Sequence, residues 1–236
     1  MARKTLFAPG EFYHIYNRGT DKRKIFLLRE DYDRFLSLLY LANSSEPIRI
    51  DNIRHLKSKQ GLTLLESVLK LQRSEPLVDI GAYCLMPNHF HMIVRERVDG
   101  GMSRFMQKLT TAYTMYFNIR HERNGALFQG TFKATHAKDD RYLSYLLSYI
   151  HLNPIKLIDP TWKENGIRNQ RQAKSYLERY AYSSYPEYLG KERIHTVIIN
   201  KEALPAYCGS VKDFKQSTLD WLRYEENDGA AQIQQG

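Results

Sequence analysis

The sequence predicts an α+β fold in which an antiparallel sheet is flanked by helices and followed by a C-terminal extension. Two apolar runs, residues 77–86 and 89–96, meet at Pro87-Asn88 and read as a hairpin, so their strands are antiparallel. An alternating aromatic run at residues 11–17 and an extended one at residues 131–137 supply further strands. Three other stretches, residues 31–41, 103–120 and 139–154, carry apolar side chains at helical spacing. At 236 residues the chain has room for one large domain, or one domain with a substantial appendage.

Taken in order, Glu11-Phe12-Tyr13-His14-Ile15-Tyr16-Asn17 alternates as a strand does. The loop Arg18-Gly19-Thr20-Asp21-Lys22-Arg23-Lys24 follows and concentrates positive charge. Tyr32, Phe35, Leu38 and Leu39 then share one helix face. Residues 44–75 read as an insertion between core elements: Gly61 interrupts any continuous pattern, and residues 62–71 look helical. After the hairpin, Gly100-Gly101 breaks the chain. Ser103 is the expected N-cap of a long helix running to Arg120, with Phe105, Leu109, Ala112, Met115 and Tyr116 on its inner face. Gly125 and Gly130 bracket a tight turn that carries Phe128 and Gln129. Asp139-Asp140 caps the next helix, which runs through Tyr142, Leu146 and Tyr149. It must stop near Pro154, because a residue preceding proline is pushed out of the α region. Beyond Asp159-Pro160 polar and basic residues dominate, which divides the chain into residues 1–160 and an extension at 161–236. The extension is expected to end in a helix at 211–225 and a polar, disordered tail from 227.

Composition narrows the function. No run approaches ~18 consecutive apolar residues, so no membrane-spanning helix is expected. Residues 1–6 lack the apolar stretch of a secretory signal. Cys84 and Cys208 are far apart and give neither a disulfide framework nor a zinc-knuckle spacing, which fits a reducing cytoplasm. Lys and Arg total 35 against 26 Asp and Glu, a net charge of +9, and the chain holds 17 tyrosines. Basic surface interleaved with aromatic rings suits a nucleic-acid partner, through phosphate attraction and base stacking.

His89-Phe90-His91 is the most informative motif. In a strand, side chains at i and i+2 point to the same face, so both imidazoles can converge on one divalent cation. The competing reading is a pair of structural histidines hydrogen-bonded at a strand end. Imidazole ligands favour Mn, Fe, Ni, Cu or Zn, and an added amide oxygen moves the choice toward Mg²⁺ or Mn²⁺. Tyr149 and Asn153 are four residues apart and share a helix face. Asn153 can thus offer an amide oxygen to the metal while Tyr149 presents its phenol beside it. Tyr142 and Tyr145 are rival nucleophiles on the same helix, and His151 reads either as a proton shuttle or as a helix-end residue. Arg18, Arg23, Lys24, Lys108, Arg120, Arg123, Lys133 and Lys138 are the candidate contacts to nucleic-acid phosphates, against the reading of each as a solvated surface charge.

Tyr83-Cys84-Leu85-Met86-Pro87-Asn88-His89-Phe90-His91 resembles the His-hydrophobic-His motif of the single-tyrosine HUH transposases. More narrowly, the chain resembles the REP-associated tyrosine transposases. The ordered segments 13–19, 106–109, 116–118, 127–130, 149–154 and 182–185 carry that likeness across about residues 10–190. The resemblance implies a ferredoxin-like HUH endonuclease core. It also implies His89, His91 and Asn153 as ligands of Mg²⁺ or Mn²⁺, and Tyr149 as the nucleophile that cleaves single-stranded DNA. A 5′-phosphotyrosyl intermediate and a free 3′-hydroxyl would follow, and strand transfer to a second 3′-hydroxyl would need no ATP. The implied substrates are hairpin-forming palindromic repeats, handled by a monomer or homodimer in the cytoplasm, at the nucleoid. Two departures stand out: Lys156 takes the place of the arginine usual after Asn-Pro, and residues 44–75 are longer than the core needs. A domesticated DNA- or RNA-binding module without strand transfer, and a phosphodiesterase that activates water, are the alternatives.

Overall fold

The computed structural model describes residues 6–46, 61–211, 214–216 and 218. The expected insertion lies partly outside the described residues, as does most of the expected final helix; the tail lies wholly outside them. Four strands, β1 (Phe12–Arg18), β2 (Val78–Met86), β3 (His89–Glu96) and β4 (Lys133–His136), form one sheet in the order β2-β3-β1-β4. Every pairing is antiparallel. The hairpin expected at Pro87-Asn88 joins β2 to β3, and β3 lies inside the sheet between β2 and β1.

Both faces of this sheet are covered. On one face lie α1 (Arg29–Leu41), α2 (Leu64–Leu69) and α3 (Gly101–Arg120). Phe35, Leu39, Phe105, Leu109 and Tyr113 pack there against Phe90, Met92 and Val94 of β3. Phe90 is fully buried with its ring 5.1 Å from that of Phe35, a position where truncation to alanine costs ~3–5 kcal/mol. On the opposite face lies α4 (Asp140–Leu152), whose Leu143, Leu146, Leu147 and Ile150 meet Ala82, Cys84 and Ile93. This alternation along β3 decides which helices can reach the histidines.

Two details of α3 differ from the sequence reading. The helix starts at Gly101, ahead of Ser103, and its N-cap is Gly100 at φ +67°, a left-handed backbone that suits glycine. A Cβ on Gly101 would stand 2.5 Å from the carbonyl oxygen of Leu77, so the helix start lies tight against the chain entering β2. The buried Glu96 carboxylate accepts from Met102 N at 3.0 Å, which supplies from the end of β3 the helix-start acceptor expected of Ser103. The inner stripe of α3 is Met102, Phe105, Met106, Leu109, Tyr113 and Phe117, whereas Met115 faces solvent. By contrast α4 begins as expected, with Asp139 accepting from Tyr142 N at 2.8 Å. It gives way at Asn153 to a 3₁₀ turn, Asn153–Leu157, although Asn153, expected to be pushed out of the α region by Pro154, keeps αR backbone at φ −50°, ψ −39°.

Residues after 160 lie against the outer edge of β2. Leu85 N donates to Tyr182 O, Ser184 N donates to Tyr83 O, and the Tyr180 and Tyr188 hydroxyls donate to Leu85 O and Gly81 O. A strand edge left open would template aggregation, and this segment covers it. Short helices α5 (Trp162–Asn165), α6 (Gln170–Arg179), α7 (Tyr185–Tyr188) and α8 (Ala206–Gly209) complete the layer. Among the described residues no helix is long and apolar enough to cross a membrane.

His151 resolves to the helix-end alternative. Its ring is fully buried beneath α4 among Tyr185, Tyr188 and Phe214, with Nε2 2.7 Å from Ser184 Oγ. Burial lowers its pKa to about 3, against a smaller upward pull from the Leu147 carbonyl. The unfolded chain takes up a proton near pH 6.5 that the folded chain refuses. The associated stability is therefore full above pH 6.5 and is lost as pH falls toward 3. Between pH 7 and pH 5 this one ring should cost about 2 kcal/mol of unfolding free energy. Urea unfolding of His151→Gln at both pH values should show an acid penalty smaller by about that amount; an unchanged penalty would refute a neutral buried ring.

Candidate active site

Cross-strand rows assemble the site. On the α4 side of the sheet, His89 stands opposite Arg18 and Met86, and His91 stands opposite Tyr16 and Cys84. Tyr16 in turn pairs with Lys133 of the edge strand β4, and His14 lies between Ile93 and Thr135. The period of the pleat thus places Arg18, Tyr16, His14, His89, His91 and Lys133 on one face.

Over this face α4 lays Tyr149. Its ring meets His91 edge-on, centroids 5.7 Å apart at 81°, and His14 at 6.1 Å and 80°. One helical turn on, Asn153 is 4% exposed and donates from Nδ2 to the Tyr149 carbonyl at 2.9 Å. Burial raises the pKa of the Tyr149 phenol, while the Lys156 charge and Asn153 pull it down. Lys163, on α5, lies with Nζ 4.3 Å from the centroid of the Tyr149 ring.

The histidines are desolvated bases. Burial lowers the pKa of His89 to about 4, helped by the charges of Lys156, Lys163 and Arg18. Burial also drives His91 well below the usual imidazole range, with His14, His89 and Lys163 adding to the effect. Both rings are therefore neutral at pH 7 and keep a lone pair. Asn88 Oδ1 lies 2.7 Å from Nδ1 of His89; an acceptor there places the proton on Nδ1 and leaves Nε2 as the donor atom for a metal.

Among the described residues no group of three or more His, Cys, Asp or Glu side chains could hold a metal ion. A cation at this place would rest on two imidazoles and the amide oxygen of Asn153, a mixed set that suits Mn²⁺ better than Mg²⁺. The residues fit such an ion in donor type and in protonation state.

Tyr142, Tyr145 and Tyr149 form a ladder along α4, neighbouring centroids 6.1 and 6.0 Å apart, and of the three it is Tyr149 whose ring meets the imidazoles. Among the basic residues, Arg18 stands at the His89 end and bonds the Gln129 carboxamide. Lys133 Nζ lies 5.9 Å from the Tyr16 ring centroid, and Lys138 is exposed just beyond β4. Arg23 is held within its own loop by Asp21 at 3.6 Å and the Thr20 carbonyl at 3.0 Å, and Lys24 is exposed beside it. Lys108 and Arg120 lie on α3 and Arg123 just beyond its end, and α3 packs on the face of the sheet opposite Tyr149. Lys108 donates to Ser44 O at 2.9 Å, and Arg123 bonds Asn118 Oδ1 at 3.2 Å. His14, Tyr16 and Lys163 were not picked out by the sequence reading. The first two share the strand alternation with Arg18 and were findable by extending it; nothing local marks Lys163.

Residues 49–153 match the family described as "Transposase IS200 like". No curated protein matches the chain. Among solved structures, a REP-associated tyrosine transposase bound to a REP hairpin aligns over 89% of this chain and 97% of its own, at 13% identity and a TM-score of 0.46. The tRNA(His) guanylyltransferase from Saccharomyces cerevisiae aligns over 89% of this chain and 87% of its own, at 12% identity and a TM-score of 0.35. Both likenesses are too distant to carry a function across.

Proposed function

We propose that this chain, whose residues 49–153 match the IS200-like transposases, cleaves and rejoins single-stranded DNA through a phosphotyrosyl bond to Tyr149. The observation that supports it most is the approach of the Tyr149 ring to His91, with Asn153 bonded to the same tyrosine. A bare phenol is a poor nucleophile at neutral pH. Burial outweighs the opposing pull of the Lys156 charge and of Asn153 and leaves the phenol above its ordinary value, so the field of a bound cation would have to favour the phenolate. Lys163, with Nζ 4.3 Å from the centroid of the same ring, adds a further positive charge to the site.

His89, His91 and Asn153 would hold the divalent cation. Bound there, Mn²⁺ or Mg²⁺ would supply Lewis-acid polarisation of the scissile phosphoryl oxygen. As the Tyr149 Oη–phosphorus bond forms, the phenolic proton is lost and the bond to the 3′ oxygen breaks. That oxygen takes up a proton and departs as the free 3′-hydroxyl, leaving the 5′-phosphate on the enzyme. Because the phosphodiester is conserved as a phosphotyrosyl bond, attack by another 3′-hydroxyl reseals DNA without a nucleotide cofactor. Arg18, Lys133 and Lys138 would follow the strand backbone into the site, and hairpin-forming palindromic repeats are the substrates the sequence resemblance favours. Such work belongs in the cytoplasm, at the nucleoid.

With Mn²⁺ and an end-labelled hairpin bearing a single-stranded flank, the wild-type protein should retain label on a denaturing gel. Tyr149→Phe should lower that adduct at least ~10³-fold while still shifting the DNA on a native gel. Adduct surviving in Tyr149→Phe would overturn the assignment, and cleavage without adduct would indicate activated water.

The two faces of the sheet give a second expectation. Arg18→Ala and Lys133→Ala should weaken binding to single-stranded DNA and flatten its log–log salt dependence by about 0.7 for each phosphate no longer neutralised. Lys108→Ala and Arg120→Ala should leave affinity and slope unchanged in a fluorescence-anisotropy titration. Equal losses from both faces would refute the proposed path of the strand.

A further inference from the structure

We propose that His14 is a positioning residue that holds the Nδ1–H of His91 and thereby commits Nε2 of His91 to the cation. This rests on the reading of His89 and His91 as cation ligands. His14 lies on β1, before the stretch matched to the transposase family begins. It is 4% exposed, its Nε2 is 2.9 Å from Nδ1 of His91, and the two rings lie 5.0 Å apart at 22°.

Two neutral imidazole nitrogens at that distance share one proton, and only two arrangements exist. If His14 donates, His91 accepts at Nδ1 and carries its own hydrogen on Nε2, where no metal can then bind. If His91 donates, its Nε2 keeps the lone pair and His14 is the acceptor. A cation on His91 selects the second arrangement. His89 has the matching device in Asn88, whose Oδ1 lies 2.7 Å from Nδ1. The two ligands are thus oriented by two different acceptors, one in the hairpin turn and one on the neighbouring strand. Supporting acceptors of this kind fix the tautomer and aim of a ligating histidine, and their loss weakens metal binding ~10–100-fold.

Calorimetric titration with Mn²⁺ tests this without DNA. His14→Phe keeps an aromatic ring in the site but offers no acceptor; His14→Gln offers Oε1. The Mn²⁺ Kd should rise ~10–100-fold in His14→Phe and be largely restored in His14→Gln, with melting temperatures measured alongside. Binding within about twofold of wild type in His14→Phe would overturn the proposal. So would equal loss in both variants, which would mean that the ring only fills space. Should the variants fail to fold, ¹⁵N spectra of the wild-type histidine rings with Mg²⁺ bound decide it. They should show the Nδ1–H tautomer for His91 and for His14, and Nε2–H on His91 would refute the assignment. His91→Ala is the control on the underlying reading: if it binds Mn²⁺ as well as wild type, the ligand assignment itself fails and this inference falls with it.

Discussion

The pleat of β3 governs everything else in the molecule. Helices cover both faces of the sheet, so the buried side chains of this interior strand are committed to one of two dry layers. Phe90, Met92 and Val94 enter the layer built by α1 and α3, and His89, His91 and Ile93 enter the layer built by α4. A slip of one residue would exchange the two sets, placing imidazoles among phenylalanines and Phe90 beneath Tyr149. The tight turn at Pro87-Asn88 prevents this, and neighbouring backbone secures that turn. Gly19 N donates to Asn88 O at 2.9 Å, and Ile25 N donates to Pro87 O at 2.8 Å. The basic loop after β1 therefore serves the register of the histidines as well as any partner its charge attracts.

Local signals carried the fold a long way. The hairpin, the Asp139 cap and the stop at Pro154 each depend on a few adjacent residues whose backbone preferences are strong, and each stands where the sequence predicted it. The meeting of Tyr149 with His91 was legible for the same reason: each motif announces its own element, and a helix following an edge strand has few places to pack. What escaped was tertiary. His14 touches His91 across 77 residues of chain, a pairing that depends on which strands are neighbours and in what register. Whether α3 lies above or below the sheet decides the fate of Lys108, Arg120 and Arg123, and helical periodicity is silent on that choice. Ser103 failed as a cap because Glu96, brought in by the end of β3, reaches the helix start first.

The charge plan of the site is a consequence of burial. Among the described residues, the cations that act on the paired histidines or the tyrosine are Arg18, Lys156 and Lys163, and no carboxylate acts on them alongside these. A carboxylate ligand would bind a divalent cation more tightly and would also repel a phosphodiester. If His89, His91 and Asn153 hold a cation as proposed, neutral imidazoles and an amide would leave its charge uncancelled, and an incoming phosphate would meet that field together with the charges of Lys156 and Lys163. Cation and phosphate would then each strengthen the binding of the other, as linkage requires of two ligands that attract at adjacent sites. Such a site would give up standing affinity for the metal in exchange for charge available to an incoming strand. Loss of a ligand's orientation would be poorly tolerated under these terms, since no anionic donor belongs to the proposed ligand set. On that reading the two groups behind the imidazoles, Asn88 at 2.7 Å from His89 and His14 at 2.9 Å from His91, would carry much of the burden of holding the site in shape.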